Sequence, residues 1–267
     1  MRPVPLVLPA ALLCAAGLAL SLLGHFQVGP DWLASWPVWL FPALFAAACL
    51  AAPLFPRLAW YAPVLCHHRR ATGCVALTFD DGPSPETTPL LLDLLAASGA
   101  KATFFAVGKR AMQHPELVRS LLAAGHEVAN HTLSHDVLLA FRSTRTVREE
   151  ITGCTRVLAG LGVATPYLRP PVGIINPRIA RVARQEGLTL VNWSLRTGDR
   201  GNRKTVGMGE QLARQIRGGD IVLLHDRPPS DQSVEAWLAD IRQLIAGPSN
   251  PPLKFVTLSE LIQEERG

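Results

Sequence analysis

The chain has 267 residues, 48% of them hydrophobic and only 18% charged, with a formal net charge of +5. That length holds one large domain plus an appendage, or two small domains. The apolar excess argues against an ordinary soluble composition, and no basic stripe interleaved with aromatics is present to suggest a nucleic-acid partner.

The apolar excess lies at the start. Residues 4–24, VPLVLPAALLCAAGLALSLLG, and residues 32–55, WLASWPVWLFPALFAAACLAAPLF, carry no charge. Each is long enough to cross a hydrocarbon core of ~30 Å, and HFQVGPD between them is short enough to close a hairpin of two transmembrane helices. Trp32, Trp36 and Trp39 suit an interfacial aromatic belt. Two alternatives stand beside the hairpin: a cleaved signal peptide for the first stretch, and a re-entrant second stretch kinked at Pro37 and Pro42. Arg2 precedes the first span, and Arg57, Arg69 and Arg70 follow the second. Positive charge favours the cytoplasmic side, so the expectation is a multi-pass protein of an inner or plasma membrane, its catalytic domain on the cytoplasmic face and the lipid bilayer a partner. The organisation expected is a membrane anchor over 1–60, a linker over 61–73 and a catalytic domain over 74–267.

From Cys74 onward, short apolar runs alternate with helical patterns. CVALTF, KATFFAV, HEVAN, LTLVNW, DIVLLH and LKFVT read as strands. PETTPLLLDLLAASG and PELVRSLLAAG read as helices stopped by Gly99 and Gly125. TVREEITGCTRVLAG opens on a capping-box pattern, Thr146 to Glu149, and TLSELIQEER on another, Thr257 to Glu260. NPRIARVARQEG has Asn176 as N-cap with Pro177 behind it. Strand alternating with helix predicts a parallel sheet with helical crossovers. The number of units predicts an irregular (β/α) barrel. Five cysteines show neither CxxC nor zinc-ribbon spacing.

In such folds the carboxyl ends of the strands carry the site. Asp80 and Asp81 end the first strand, His225 and Asp226 end DIVLLH, and Asp199 follows LTLVNW by a short loop. Adjacent carboxylates raise one another's pKa unless a cation or donor intervenes. DDGP by itself reads equally as a strand-end turn with two solvated acids. HTLSH places His131 and His135 four apart, which on a helical turn puts both imidazoles on one face. Two histidines alone are more often one exposed and one buried in the core. One carboxylate plus two histidines, however, is a three-ligand set for a catalytic divalent metal. One aspartate would then hold the metal, whose charge lets both stay ionised, and the other would act as base. Arg169 in YLRPPVG can orient a catalytic carboxylate or form a structural ion pair. His225 is a candidate general acid.

TFDDGP, HTLSH, RPPVG, NWSLRTGD and IVLLHD occur in that order. Together they resemble the five motifs of the NodB-type polysaccharide deacetylases, carbohydrate esterase family 4, over about residues 74–265. The resemblance implies an N-deacylase that releases acetate and a free amino sugar from a glycan or glycolipid. It implies Asp80 as base, with Asp81, His131 and His135 binding one divalent metal: zinc first, with cobalt, manganese and nickel as alternatives. Arg169 would orient Asp80, and His225 would be the general acid, tuned by Asp199. Leu223 and Trp193 would wall the acyl pocket, and a backbone N–H near Val172 would face the oxyanion. Two departures stand out. Val172 and Arg200 each occupy a position where the family commonly has an aromatic residue. Arg200, with Arg203 and Lys204, could meet an anionic part of the substrate or form a solvated basic loop. Two other functions stay open: deformylation or deacetylation of a polyprenyl-linked sugar, and an inactive carbohydrate-binding protein on the same fold.

Overall fold

The computed structural model describes residues 7–25, 40–52, 60–196, 207–247 and 252–264. Two helices come first, α1 (Val7–His25) and α2 (Leu40–Ala51), packed on each other. The expected transmembrane hairpin is corrected here. At 1.5 Å rise per residue, α1 spans about 28 Å and α2 about 18 Å, against a hydrocarbon core of ~30 Å. Among the described residues no helix is long and apolar enough to cross a membrane. The multi-pass placement, the bilayer partner and the cytoplasmic-face assignment rested on those spans and are corrected with them.

The rest is built on a parallel sheet. Its strands, in chain order, are β1 (Val64–Leu65), β2 (Cys74–Gly82), β3 (Thr103–Ala106), β4 (Glu127–Asn130), β5 (Tyr167–Leu168), β6 (Thr189–Val191), β7 (Leu195–Arg196), β8 (Ile221–His225) and β9 (Lys254–Val256). The spatial order is β1-β6-β5-β4-β3-β2-β8-β7, with β9 beside the first half of β2. All of these pairings are parallel, and β1 and β7 are not paired with each other among the described residues. Among the described residues the sheet is therefore a curled half-barrel, which corrects the expected irregular (β/α) barrel. β1, within the stretch expected as linker, pairs with β6.

Every residue of β2 is buried, as befits a central strand of a parallel sheet covered on both faces. Its period of two divides the interior. Val75, Leu77 and Phe79 face the main core with Leu91 and Leu95 of α3 (Thr88–Ser98) and Trp237, Ile241 and Leu244 of α9 (Val234–Ala246). Cys74 and Ala76 face the concave side with Phe105, Ala129 and Val191, closed at the bottom by Leu258 and Leu261 of α10 (Leu258–Gln263). On that alternation Thr78 and Asp80 also point into the curl.

The other helices are α4 (Gly108–Gln113), α5 (Pro115–Ala123), α6 (Thr144–Gly160), α7 (Pro177–Gln185) and α8 (Met208–Gln215). Asn176 caps α7, accepting from the Ile179 N–H at 2.9 Å, and Thr257 with Glu260 forms the expected capping box of α10. α6 begins at Thr144, two residues ahead of the expected box, because the Ser143 hydroxyl caps the Thr146 N–H. All five cysteines are free.

Candidate active site

Asp80 sits near the carboxyl end of β2, 4% exposed, and its Oδ1 accepts from Arg169 Nη1 at 2.6 Å. Arg169 follows β5 and is fully buried. Its Nη1 also donates to the Thr78 hydroxyl at 2.9 Å and its Nη2 to the Asn192 carbonyl at 3.0 Å. The guanidinium lies over the Phe105 ring, 4.0 Å from the centroid, with Trp193 farther off at 5.7 Å. Burial pulls the Arg169 pKa down, and the Asp80 charge opposes that shift. A buried arginine with this many acceptors orients a carboxylate rigidly.

Asp81 breaks the strand's alternation, with φ at 71. Its Oδ1 lies 3.5 Å from His131 Nε2 and 3.1 Å from His135 Nε2. The histidines come from the loop after β4, and that loop is not the expected helical turn. Thr132 (φ 67) and His135 (φ 56) are left-handed, and these reversals, not a 3.6-residue period, bring the rings to 4.9 Å between centroids. The loop is tied down from outside. Gly108 N and Lys109 N donate to the carbonyls of Thr132 and Leu133, and Leu133 N donates to the Glu150 carbonyl. Ser134 gives its N–H and hydroxyl to the Glu150 carboxylate at 2.8 and 2.7 Å. Strained non-glycine residues cost of order 1–3 kcal/mol each and persist where the surroundings over-determine them.

Asp81, His131 and His135 offer donor atoms that all lie within 4.8 Å of one another. Zinc bonds of ~2.0–2.1 Å in tetrahedral geometry separate neighbouring ligand atoms by about 3.3–3.4 Å, close to the spacings here. His131 Nδ1 pairs with the Arg169 carbonyl at 2.7 Å, an outer contact that leaves Nε2 facing the centre. Charge balance agrees. Burial lowers the pKa of His131, but the Asp80 and Asp81 carboxylates outweigh it and raise the net value. His135 goes down through burial and the neighbouring His131 charge. Burial opposes the charge on Asp81, yet the His131 hydrogen bond and the histidine charges hold its carboxyl far below the usual range. The donor set of one carboxylate and two imidazoles fits a divalent metal.

His225 ends β8, half-buried, in register with Asp80 on β2. Leu223, two residues back, is buried, and Trp193 is half-buried. Val172 is left-handed (φ 52) with its side chain 56% exposed, in the turn after Arg169. Gly173 beside it (φ 69) has no room for a Cβ, which would lie 2.5 Å from Trp193. Asn192 Nδ2 holds the Gly173 carbonyl at 3.0 Å. Asp199 and Arg200, with Arg203 and Lys204, lie outside the described residues.

Three further residues bear on the site and were not in the set expected from the sequence. Arg227 Nη2 meets Asp81 Oδ2 at 2.8 Å, and Arg110 Nη1 donates to the Asp81 carbonyl. Asn192 ties the Arg169 guanidinium to the Gly173 turn. Among the described residues, Asp226 is the exception to the expected convergence. Its side chain is wholly buried and turns to the hydroxyls of Thr87 and Thr88. Adjacency to IVLLH was the only sequence signal for Arg227, and none marked Arg110.

A profile of the family described as "Polysaccharide deacetylase" matches residues 67–191. The chain is 36% identical over 192 residues to a peptidoglycan-N-acetylglucosamine deacetylase of Bacillus cereus, covering 71% of this chain and 88% of the relative. It is 37% identical over 168 residues to a chitooligosaccharide deacetylase of Sinorhizobium fredii, covering 61% and 78%. Among solved structures it resembles the peptidoglycan deacetylase PdaC of Bacillus subtilis, with 30% identity, a TM-score of 0.63, and coverage of 73% of this chain and 92% of that one.

Proposed function

Since the chain belongs to the polysaccharide deacetylase family, carbohydrate esterase family 4, we propose that it removes the N-acetyl group from N-acetylglucosamine-type residues of a glycan. As a member it is a hydrolase of linear amide bonds. The relatives' names supply the substrate class: peptidoglycan for one and chitooligosaccharide for the other. The observation that carries the reading is the buried Arg169–Asp80 pair standing beside the Asp81–His131–His135 cluster.

In this reading Asp81, His131 and His135 hold one divalent metal, with zinc the first choice. That ion would supply Lewis acidity to the acyl carbonyl and to the attacking water. Asp80 takes the proton of that water. Its Oδ1 is engaged by Arg169, so Oδ2, which lies 3.7 Å from His131 Nε2, is the accepting atom. Arg169 keeps the carboxylate aimed and prevents it from swinging away. As water adds to the amide carbon, the Val172 N–H stabilises the charge that builds on oxygen. His225 then gives a proton to the sugar nitrogen as the C–N bond breaks. Leu223 and Trp193 wall the space for the acyl methyl. Amide and water give acetate and the free amine, so the reaction balances.

The test is a panel of N-acetylated glycans: chitooligosaccharides of increasing length, peptidoglycan fragments and N-acetylglucosamine itself. Matched release of acetate and free amine from at least one oligomer supports the proposal. Inertness of the zinc-loaded chain toward the whole panel refutes it.

A further inference from the structure

Asp81 is gripped from three directions. Oδ1 faces the two histidine Nε2 atoms at 3.5 and 3.1 Å. Oδ2 is met by Arg227 Nη2 at 2.8 Å. The carbonyl oxygen accepts from Arg110 Nη1. Its left-handed backbone (φ 71) needs such over-determination.

The two carboxylate oxygens are thus divided between two tasks. A carboxylate can bind a cation through one oxygen or through both, and the outer partners of a ligand fix its orientation. Arg227 is well placed to make that choice. It follows Asp226 directly, and Asp226 is locked by Thr87, by Thr88 and by its own N–H to the Asp80 carbonyl at 2.8 Å. The backbone from which Arg227 reaches is therefore fixed to the same strand end as Asp81. Its own side chain is 48% exposed, and between two surface groups such a pair would contribute little. Asp81 is not a surface group: its side chain is 6% exposed.

We propose that Arg227 is a positioning residue that occupies Asp81 Oδ2 and so restricts Asp81 to the metal through Oδ1 alone. One-oxygen binding keeps the coordination number low and leaves positions for water and the acyl oxygen. The inference rests on the metal reading above and concerns a residue that the chemistry itself does not use.

The test reads coordination, not turnover. The full chain is loaded with cobalt(II), and visible absorption per bound cobalt is compared between wild type and Arg227→Met. With Oδ2 released, the carboxylate turns both oxygens to the metal. The coordination number rises, and the visible band loses intensity towards that of an octahedral ion. An Arg227→Met protein with full cobalt and an unchanged band overturns the proposal. So does one that fails to retain cobalt, because Arg227 would then govern affinity and not orientation. A wild type that binds no cobalt overturns the metal reading itself, and the proposal with it. If circular dichroism shows the Met variant unfolded, Arg227→Ala is read by the same criteria.

Discussion

Asp80 and His225 are register partners on the neighbouring parallel strands β2 and β8, where the Asp226 N–H also donates to the Asp80 carbonyl at 2.8 Å. The proposed proton acceptor and proton donor are therefore set by a backbone ladder and not by loops. Parallel strands lie ≈ 4.8 Å apart, so one substrate amide can address both. The concave placement of Asp80 follows from the period of two along β2, which also puts Thr78 and Asp80 on one arginine.

Arg169→Met should destabilise the fold by about 3–5 kcal/mol, because it leaves the Asp80 carboxylate buried without its partner. Denaturant unfolding of variant and wild type measures the difference. A loss below about 1 kcal/mol would mean that the Arg169–Asp80 pair is not an essential part of the core.

Gly173→Ala should cost about 1–3 kcal/mol by overpacking. The added methyl would lie 2.5 Å from Trp193 in a backbone at φ 69. Turnover should fall as well, because the neighbouring Val172 N–H shifts. Unchanged kcat together with unchanged stability would remove the turn from the account.

Asp226 gives stability a pH dependence of definite sign. Burial pushes its carboxyl up from 3.8 to about 7, with Thr88 and Thr87 opposing the shift. The folded chain thus holds this proton more tightly than the unfolded chain. The contribution is full below about pH 4 and is lost as pH rises through about 7. Asp226→Asn mimics the neutral acid, so its stability relative to wild type should improve steadily from pH 4 to pH 7.5. A difference that stays constant across that window contradicts the assignment.

Much of this was legible in the sequence, and the exceptions have physical causes. The longer strands announced themselves as apolar runs. β1, β5 and β7, two residues each, are too short to show any period. The His131–His135 spacing named two residues that the fold brings together, but through a conformation other than the expected helical turn, because left-handed backbone at Thr132 and His135 leaves no trace in a periodicity. The apolar character of residues 4–24 and 32–55 was plain, but composition does not fix where helices start and stop, and the described helices are shorter than those runs. Arg110 and Arg227 reach Asp81 from other elements, 29 and 146 residues along the chain from it, which no local reading recovers.

His131→Ala should lose bound metal and activity together. The drop should exceed the 10–100-fold that removal of an outer-shell partner costs. Elemental analysis after dialysis reads the metal, and amine release reads the activity. Full metal content with full activity would take His131 out of the ligand set.

Asp80 is the proposed base of a metal-assisted N-deacetylation. The most direct measurement is acetate release from a chitooligosaccharide by zinc-loaded wild type and Asp80→Asn, with zinc content determined on the same samples. The variant should keep its zinc and lose about 10²–10⁴-fold in rate. A variant that releases acetate at the wild-type rate, or that loses its zinc while still turning over, would contradict it.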